Sequence, residues 1–273
     1  MVELIPNRVN KKEFYDHHLN FSARTLIDYY ISPGTKAKFN LIKKQLGDRS
    51  FQNALDIGCS GNSILPFLPH IKRRFYFDIA RSPLTQFLQP KGNFPVIGML
   101  EQLPFLDETF DFIAALDVIE HIFHDSIAAA EISRILKPGG ILLVSVPHSM
   151  KYFTYQDSII GHYRRYEVDQ LKNLFLSHSL KFLRLFGIYG QAMRVQLFQA
   201  AKPSETEQSI LKLRNKYLSN AVFRKIWDKF VDFGKFWMTI DAKYQPLAKK
   251  MNIGFIFKKN TYSNQDISSK ELT

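Results

Sequence analysis

The sequence predicts an α/β protein built on a doubly wound, mostly parallel sheet. Strand-like runs, such as residues 51–57 and 141–147, alternate with helix-like segments such as 35–46 and 125–136. Each strand-like run is apolar almost throughout, which is typical of parallel strands that are covered on both faces. Residues 252–259 instead alternate apolar and polar side chains, which indicates an edge or antiparallel last strand.

The individual elements follow from their periodicity and from the glycine and proline residues that bound them. In chain order, we predict an amphipathic helix over 35–46 with Gly47 as its C-cap, a strand over 51–57, a short helix over 62–70, a strand over 73–79, a short helix over 82–89, strands over 94–100 and 110–119, a helix over 125–136 that ends at KPGG, a strand over 141–147, a helix over 167–179, and strands over 180–188 and 252–259.

The rhythm of strands and helices is broken before the last strand, by an aromatic-rich helical insertion. It contains a capping box at Ser204 and Glu207 and a helix over 221–240. The predicted segments are an N-terminal helical cap over 1–50, a core over 51–187, the helical insertion over 188–250, the last strand over 251–259 and a polar tail over 260–273.

Composition limits the classes of function. The chain has 273 residues and is 45% hydrophobic, enough to bury the core of one large domain. Its formal net charge of +12 favours anionic partners such as RNA, phosphorylated substrates or an acidic membrane surface. A single cysteine excludes an internal disulfide and a CxxC site. Because we see no signal-peptide core and no apolar run of about 18 residues, we expect a cytoplasmic protein.

Residues 56–63, DIGCSGNS, combine the end of a strand, a glycine turn and the start of a helix. Such a turn lets a ligand approach the backbone closely, and the next helix offers free N–H groups. A dinucleotide would require GxGxxG, but glycine stands only at Gly58 and Gly61. A carboxylate at the end of a buried strand is costly unless it is hydrogen-bonded, so Asp56 favours a cationic ligand nearby.

This stretch resembles the first motif of the class I S-adenosylmethionine-dependent methyltransferases, in which an aspartate precedes a glycine-rich turn touching the amino-acid end of the cofactor. Asp78 stands 20 residues after Gly58 and matches the family's acid that hydrogen-bonds the ribose hydroxyls. Residues 103–122 resemble the family's fourth-strand region, and residues 132–147 resemble its approach to the fifth strand. The resemblance covers roughly residues 50–187. It implies a Rossmann-like fold, methyltransferase activity and S-adenosylmethionine as cofactor.

The chain departs from the family pattern at two places. Ser60 and Asn62 replace glycines of the turn, and Met99 stands where an aspartate often lies near the adenine amine. We expect Met99 to pack on the adenine ring and the backbone of Leu100 to contact its edge, with weaker affinity than usual. The cofactor-binding residues implied are Asp56, Gly58, Cys59, Ser60, Asp78, Ile79, Met99, Leu100 and Asp117.

Methyl transfer needs the acceptor to be close and aligned, and a hydroxyl acceptor also needs a general base, most often histidine. His121 follows the fourth strand at the carboxyl edge of the sheet, where ligands of such folds bind, and His162 follows the fifth strand. These two are the candidate catalytic residues. Cys59 lies inside the cofactor turn, which excludes pyrimidine C5 methylation through a cysteine adduct. We see no metal-ligand set in the sequence.

The stretch GHYRRY, residues 161–166, places three cations and two tyrosines within six positions after the fifth strand. Arginine suits a carboxylate or phosphate, and tyrosine offers a flat face to a sugar ring. A solvated connecting loop is the alternative. The candidate substrate-binding residues are His148, Tyr163, Arg164, Arg165 and Tyr166.

These features favour a methyltransferase that acts on a small-molecule, glycan or lipid-linked acceptor. Two alternatives stay open: an RNA methyltransferase, suggested by the charge but lacking a nucleobase motif, and a cofactor-binding protein without catalysis. The helix over 221–240 carries an aromatic face opposite a charged one. That face can pack on its own domain, cover the pocket, or lie on an anionic membrane. Neither the acceptor nor the oligomeric state follows from the sequence.

Overall fold

A computed structural model describes residues 11–17, 24–89, 91–194 and 203–261. The helices are α1 (Lys11–His17), α2 (Asp28–Ile31), α3 (Pro33–Leu46), α4 (Asp125–Ile135), α5 (Tyr155–Ile159), α6 (Val168–Leu176), α7 (Pro203–Ser219) and α8 (Ala221–Tyr244). The strands are β1 (Phe51–Ile57), β2 (Ile71–Asp78), β3 (Asn93–Ile97), β4 (Phe110–Leu116), β5 (Leu136–Pro147), β6 (Leu180–Tyr189) and β7 (Asn252–Lys259).

The strands form one seven-stranded sheet in the order β3-β2-β1-β4-β5-β7-β6. Strands β1 to β5 pair with one another in parallel. β7 runs antiparallel to both of its neighbours, β5 and β6. This confirms the predicted doubly wound α/β fold with an antiparallel last strand. The strand order reverses between β1 and β4, and in open α/β sheets ligands bind outside the carboxyl ends of the strands at such a point.

The sheet is covered on both faces because its central strands are apolar on both sides. One buried cluster includes Phe110, Ile132, Phe175 and Phe255. A second includes Phe39, Ile42, Phe87 and Phe112 on the other side. Continuous apolar runs in β4 and β5 are therefore a consequence of helices packing above and below.

Three predicted elements differ from the structure. The segments over 62–70 and 82–89 form 3₁₀ turns at Leu65–Phe67 and Ser82–Phe87, each with a proline in its first two positions. Such tight turns suffice for the short connections between β1, β2 and β3. The KPGG sequence belongs to β5, which begins at Leu136 directly after α4.

The N-terminal helices and the insertion pack together at one side of the sheet. α3 begins with Ser32 as N-cap and ends at Gly47, which has the positive φ of 63° expected of a C-cap glycine. α8 packs along α3, and Asn220 caps its first turn by accepting from Phe223 N. The side chains of the predicted capping box, Ser204 and Glu207, lie outside the described residues.

Candidate active site

A cleft opens at the carboxyl ends of β1, β2 and β4, the edge where the topology predicts a ligand. About 740 Å³ of empty space lies between its walls, and this space is continuous with bulk solvent. The residues that line it are Tyr15, Arg24, Ile57, Gly58, Ser60, Phe77, Asp78, Ile79, Gly98, Met99, Leu100, Glu101, Leu116, Asp117, Val118, His121 and Ile122.

The glycine turn forms the floor of the cleft. Gly58 has φ 64°, and a Cβ atom at this position would overlap Cγ2 of Val118. Glycine therefore allows both the positive φ of this turn and the close approach of the end of β1 to Val118, which follows β4. Ser60, which replaces a family glycine, also has positive φ, and its N–H donates to Oδ2 of Asp78 at 2.8 Å.

Asp78 joins the end of β2 to the turn. Its carboxylate accepts from Ser60 N and, at 2.9 Å, from Ala80 N. Burial raises the pKa of Asp78, an effect only partly offset by these backbone hydrogen bonds. The N–H of Ile79 also donates to Asp78. A carboxylate has about four acceptor sites, so these three bonds leave about one site for a hydroxyl group of a ligand in the cleft.

Asp117 lies on the opposite wall and is fixed by three side chains. Lys38 Nζ is 2.6 Å from Oδ2, while Ser145 Oγ and Asn252 Nδ2 each donate to Oδ1 at 2.8 Å. Burial acts to raise the pKa of Asp117, but the charge of Lys38 and these hydrogen bonds outweigh it and bring the pKa to about 2. Asp117 is therefore ionised and already paired, which explains how a charge is tolerated after so apolar a strand.

Two predicted cofactor residues do not reach the cleft. Asp56 accepts from Ser63 Oγ at 2.6 Å and from Ile64 N at 3.1 Å, so it ties the loop after the turn to β1. Burial raises the pKa of Asp56 to about 7 despite these bonds. Cys59 is buried in the second cluster, and burial raises the pKa of its thiol. We therefore assign structural roles to both.

The remaining predicted cofactor residues line the cleft. Ile79, Met99 and Leu100 are on its wall beside Asp78, and the Met99 side chain is 48% exposed, so it is available to a flat apolar ring. Sequence reasoning missed Tyr15 and Arg24, which enter from the N-terminal segment. No local motif marks them, because they reach the cleft only through the tertiary fold.

At the other end of the cleft, His121 leads into a buried polar cluster. Its Nδ1 is 3.1 Å from Tyr15 Oη, and its ring meets that of His162 edge to face with centroids 4.5 Å apart. His162 Nδ1 is 2.8 Å from Asp157 Oδ1. Burial lowers the pKa of His121 well below its usual value, and the adjacent His162 acts in the same direction. The two predicted catalytic histidines are thus in contact, but only His121 lines the cleft.

The predicted substrate residues are mostly held by internal partners. Arg165 forms a forked ion pair with Asp157, with both N–O distances 3.0 Å. Arg164 pairs with Asp125 at 2.6 Å. Tyr166 is fully buried, and its hydroxyl donates to the same Asp125. Burial, together with the charge of Asp125, raises the pKa of Tyr166.

His148 is buried against the carbonyl of Lys250, with Nδ1 and O 3.1 Å apart. Tyr163 is half-buried, its ring packs on Phe123, and its N–H donates to the Glu120 carbonyl. The GHYRRY stretch is therefore neither a solvated loop nor an open cationic patch. It is the internal support of the histidine pair.

The residues present fit S-adenosylmethionine on three structural grounds. Gly58 gives the turn its positive φ on the floor of the cleft, close against Val118 on the cleft wall. Asp78 retains acceptor capacity for a ribose hydroxyl. Met99 and Leu100 offer an apolar wall to an adenine ring.

Comparisons with known proteins agree with this geometry. Residues 55–144 match the family model described as a methyltransferase domain. A protein of Mycolicibacterium smegmatis named as a probable S-adenosylmethionine-dependent methyltransferase is 28% identical over 102 residues, which are 37% of this chain and 40% of that protein. The uncharacterised methyltransferase YcgJ of Bacillus subtilis is 30% identical over 124 residues, 43% of this chain and 49% of YcgJ. The chain thus spans less than half the length of these two relatives.

Among solved structures, phosphoethanolamine N-methyltransferase 2 of Haemonchus contortus in complex with S-adenosyl-L-methionine superimposes with a TM-score of 0.58. The alignment covers 94% of this chain and 61% of that one, at 16% identity. At this identity the likeness shows a shared fold. The described residues contain no helix that is both long and apolar enough to cross a membrane.

Proposed function

Because the chain belongs to the class I S-adenosylmethionine-dependent methyltransferase superfamily, we propose that it transfers a methyl group to an acceptor bound at the His121 end of the cleft. The acceptor classes are those predicted from the sequence: a small molecule, a glycan or a lipid-linked intermediate. The predicted superfamily and cofactor are confirmed by the family match. The observation that carries the proposal is a single cleft with a glycine turn and Asp78 at one end and His121 at the other.

The cofactor end of the cleft has the simpler role. Bound S-adenosylmethionine supplies a methyl group that is already activated by its sulfonium, so the protein chiefly has to align the reactants. Alignment of this kind contributes on the order of 7–11 kcal/mol in favourable intramolecular cases. We assign the ribose hydroxyls to Asp78, the adenine ring to Met99 and Leu100, and the amino-acid end to the turn at Gly58 and Ser60.

The acceptor end is assigned to His121, the catalytic residue that would touch the acceptor, with His162 directly behind it. Asp157 holds the ring of His162, and the fork from Arg165 holds Asp157. The histidine pair is therefore set on a rigid support, as a residue that orients a nucleophile requires. His148, Arg164 and Tyr166 have no place in this site, because their polar atoms are used elsewhere in the fold.

The insertion favours an acceptor at a membrane surface. One face of α8 packs on the domain: Trp227 Nε1 donates to the Ile31 carbonyl at 3.1 Å, and Val231 is fully buried. A second apolar stripe points outward, with six large side chains that are each more than half exposed: Val222, Ile226, Phe230, Phe233, Trp237 and Tyr244. Solvent exposure of so many apolar groups along one helix marks an interaction surface.

The positive charge beside this stripe favours an anionic partner. Lys225, Lys229 and Lys243 are exposed beside it at helical spacing, on a chain with a net charge of +12. Two copies paired through the stripe would bring like charges together, whereas an anionic membrane would attract them. α8 contacts α3, whose Lys38 reaches Asp117 in the cleft. We propose peripheral contact of α8 with an anionic membrane that presents the acceptor.

The cofactor assignment is tested by titration calorimetry with S-adenosylmethionine. Asp78→Asn should weaken binding by about 1.5–3 kcal/mol, the scale of hydrogen bonds to a charged group. Asp111→Asn is the matched control, since Asp111 also accepts two backbone N–H groups, from Gln52 and Asn53, but at the opposite edge of the sheet. Equal affinity of the two variants would contradict the assignment of Asp78.

The methyl acceptor is tested by following labelled methyl transfer into separated cell fractions. We expect incorporation into the lipid or soluble metabolite fraction. Incorporation into RNA would support the second function predicted from the net charge. Cofactor binding without transfer into any fraction would instead favour a binding protein that lacks catalysis.

A further inference from the structure

The buried polar cluster behind His121 contains three side chains with the donor types of a metal site. Glu120, His121 and His162 each offer one donor atom, and these atoms lie within 4.8 Å of one another. Within this group, His162 Nε2 and Glu120 Oε1 are 3.8 Å apart. Donors around a tetrahedral zinc ion lie roughly 3.3 Å apart, given bonds of about 2.0–2.2 Å, so the widest pair of the cluster needs to close by up to about 1.5 Å.

Glu120 makes the strongest case for a cation. Its side chain has no solvent exposure, and neither carboxylate oxygen has a hydrogen-bond partner among the residues that the structure describes. Its backbone is fixed, because the carbonyl accepts from Tyr163 N at 2.8 Å. A buried carboxylate without partners costs several kcal/mol, and protonation would still leave a buried hydroxyl with nothing to bind.

The histidines are supported as metal ligands usually are. A ligating histidine commonly donates its second ring N–H to a carboxylate, which fixes the tautomer and aims the other nitrogen at the metal. His162 has this arrangement, since its Nδ1 is 2.8 Å from Asp157 while Nε2 faces Glu120. The ion pair of Asp157 with Arg165 holds that carboxylate in place.

We infer that Glu120, His121 and His162 bind one divalent first-row transition-metal ion, of which Zn²⁺ is the test case. Two imidazoles and one carboxylate form a donor set typical of zinc and iron, whereas magnesium and calcium prefer oxygen ligands alone. Three protein ligands leave a coordination position open. Of the three ligand residues, His121 lines the cleft, so an acceptor bound there would approach the ion from the His121 side.

This inference deepens the proposed function and rests on its placement of the acceptor. It gives the histidine pair the role of ligands rather than of direct proton acceptors. The acceptor class it selects carries an oxygen donor, such as a hydroxyl, carboxylate or phosphate, that can take the open position. A bound metal also lowers the pKa of a coordinated hydroxyl, which would make it a better nucleophile.

The site is tested by titrating the full chain with Zn²⁺ in the absence of S-adenosylmethionine. We expect one ion per chain, and at least a tenfold loss of affinity in Glu120→Gln and in His162→Gln. His124→Gln is the matched control, because this exposed histidine lies three residues from His121 but outside the cluster. Zn²⁺ should raise the Tm of the wild type and of the control but not of Glu120→Gln, which keeps the side-chain shape. The visible absorption of bound Co²⁺ should report nitrogen and oxygen ligands.

Three results would overturn the metal site: no Zn²⁺ binding to the wild type, unchanged affinity in both cluster variants, or loss of binding in His124→Gln. Failure of the proposed function is a separate outcome. A chain that binds Zn²⁺ through Glu120 but does not bind S-adenosylmethionine would refute methyl transfer and leave the metal site standing.

Discussion

The carboxyl edge of the sheet and the helical insertion differ in where their apolar and charged side chains lie. At the sheet edge, strand residues are buried on both faces, and carboxylates such as Asp56 and Asp117 are held by named donors. In the insertion, α8 buries one apolar stripe and leaves a second one in solvent. Asp56 and Asp117 at this edge thus have their partners within the same chain. The outer stripe of the insertion is exposed in the single chain, and the proposed membrane contact would cover it.

This difference separates residues that the fold requires from residues that only a binding partner requires. At the edge, a residue such as Gly58 is required by the backbone itself, so a change there should affect both stability and the ligand. On the outer stripe of α8, a residue such as Phe233 contributes little to folding, so a change should affect only the partner. Substitutions at the two places therefore test the comparison directly.

The largest effect is expected from Gly58→Ala. The substitution puts a side chain at φ 64°, which costs roughly 1–2 kcal/mol, and the new Cβ overlaps Val118, which adds an overpacking cost of about 1–3 kcal/mol. Urea unfolding should show a total loss of about 3 kcal/mol, and the affinity for S-adenosylmethionine should fall at least tenfold.

Gly47→Ala is the control for this strain. Gly47 has nearly the same φ, 63°, but nothing lies within 4 Å of the position that a Cβ atom would take there. It should therefore lose only about 1 kcal/mol of stability and keep its cofactor affinity. If both variants lose the same stability and affinity, the close contact between the turn and Val118 has no special role at the edge.

On the insertion, the double variant Phe233→Ser with Trp237→Ser should separate binding from folding. Both side chains are more than half exposed, so unfolding free energy should change by less than about 1 kcal/mol. Each buries apolar area only if a membrane covers it, and burial of such a side chain contributes about 1.5–3 kcal/mol. Co-sedimentation with vesicles that contain anionic lipid should fall at least tenfold.

Vesicle composition then identifies the partner. The wild type should bind anionic vesicles more tightly than zwitterionic ones, and added salt should weaken that binding. A concentration-dependent dimer that the double variant abolishes, without vesicle binding by the wild type, would contradict the membrane assignment and make the stripe an interface between copies of the chain.

The same contrast explains which features of the fold and of the site could be predicted from the sequence. The fold, and the position of Gly58 and Asp78 at one cleft, were predictable because they depend on local patterns: apolar strands, the glycine turn after β1, and the spacing to the end of β2. The pairing of Lys38 with Asp117 and the entry of Tyr15 into the cleft were not, because both join distant segments. Periodicity also merged the two stripes of α8 into one face, since it records which side chains are apolar but not what covers them.

The loop around His162 illustrates a further limit. Its cations and tyrosines indicated a substrate surface, but the structure turns Arg165 and Tyr166 inward. Composition alone cannot distinguish a charged surface from a buried ion pair, because the partner, Asp157, is identified only by the geometry. The segment still serves the candidate site, as the support of its histidines rather than as a contact with the acceptor.

The smallest effect is expected at Asp56, which is beside the cleft but belongs to the edge's internal framework. Burial raises its pKa to about 7, whereas the unfolded chain ionises near the ordinary value of about 3.9. Between these values the folded state binds more protons than the unfolded state, so the contribution of this group to stability falls as the pH rises from about 4 through 7. Asp56→Asn does not titrate and removes this dependence.

Urea unfolding of the ligand-free wild type and of Asp56→Asn at pH 5, 6 and 7 measures the difference. The stability of the wild type relative to the variant should fall over this range by on the order of 1–2 kcal/mol, since one pKa unit corresponds to about 1.4 kcal/mol. A constant difference would mean that Asp56 stays ionised throughout. The bonds from Ser63 and Ile64 would then outweigh burial, as the partners of Asp117 do, and both carboxylates of the edge would be held in the charged form.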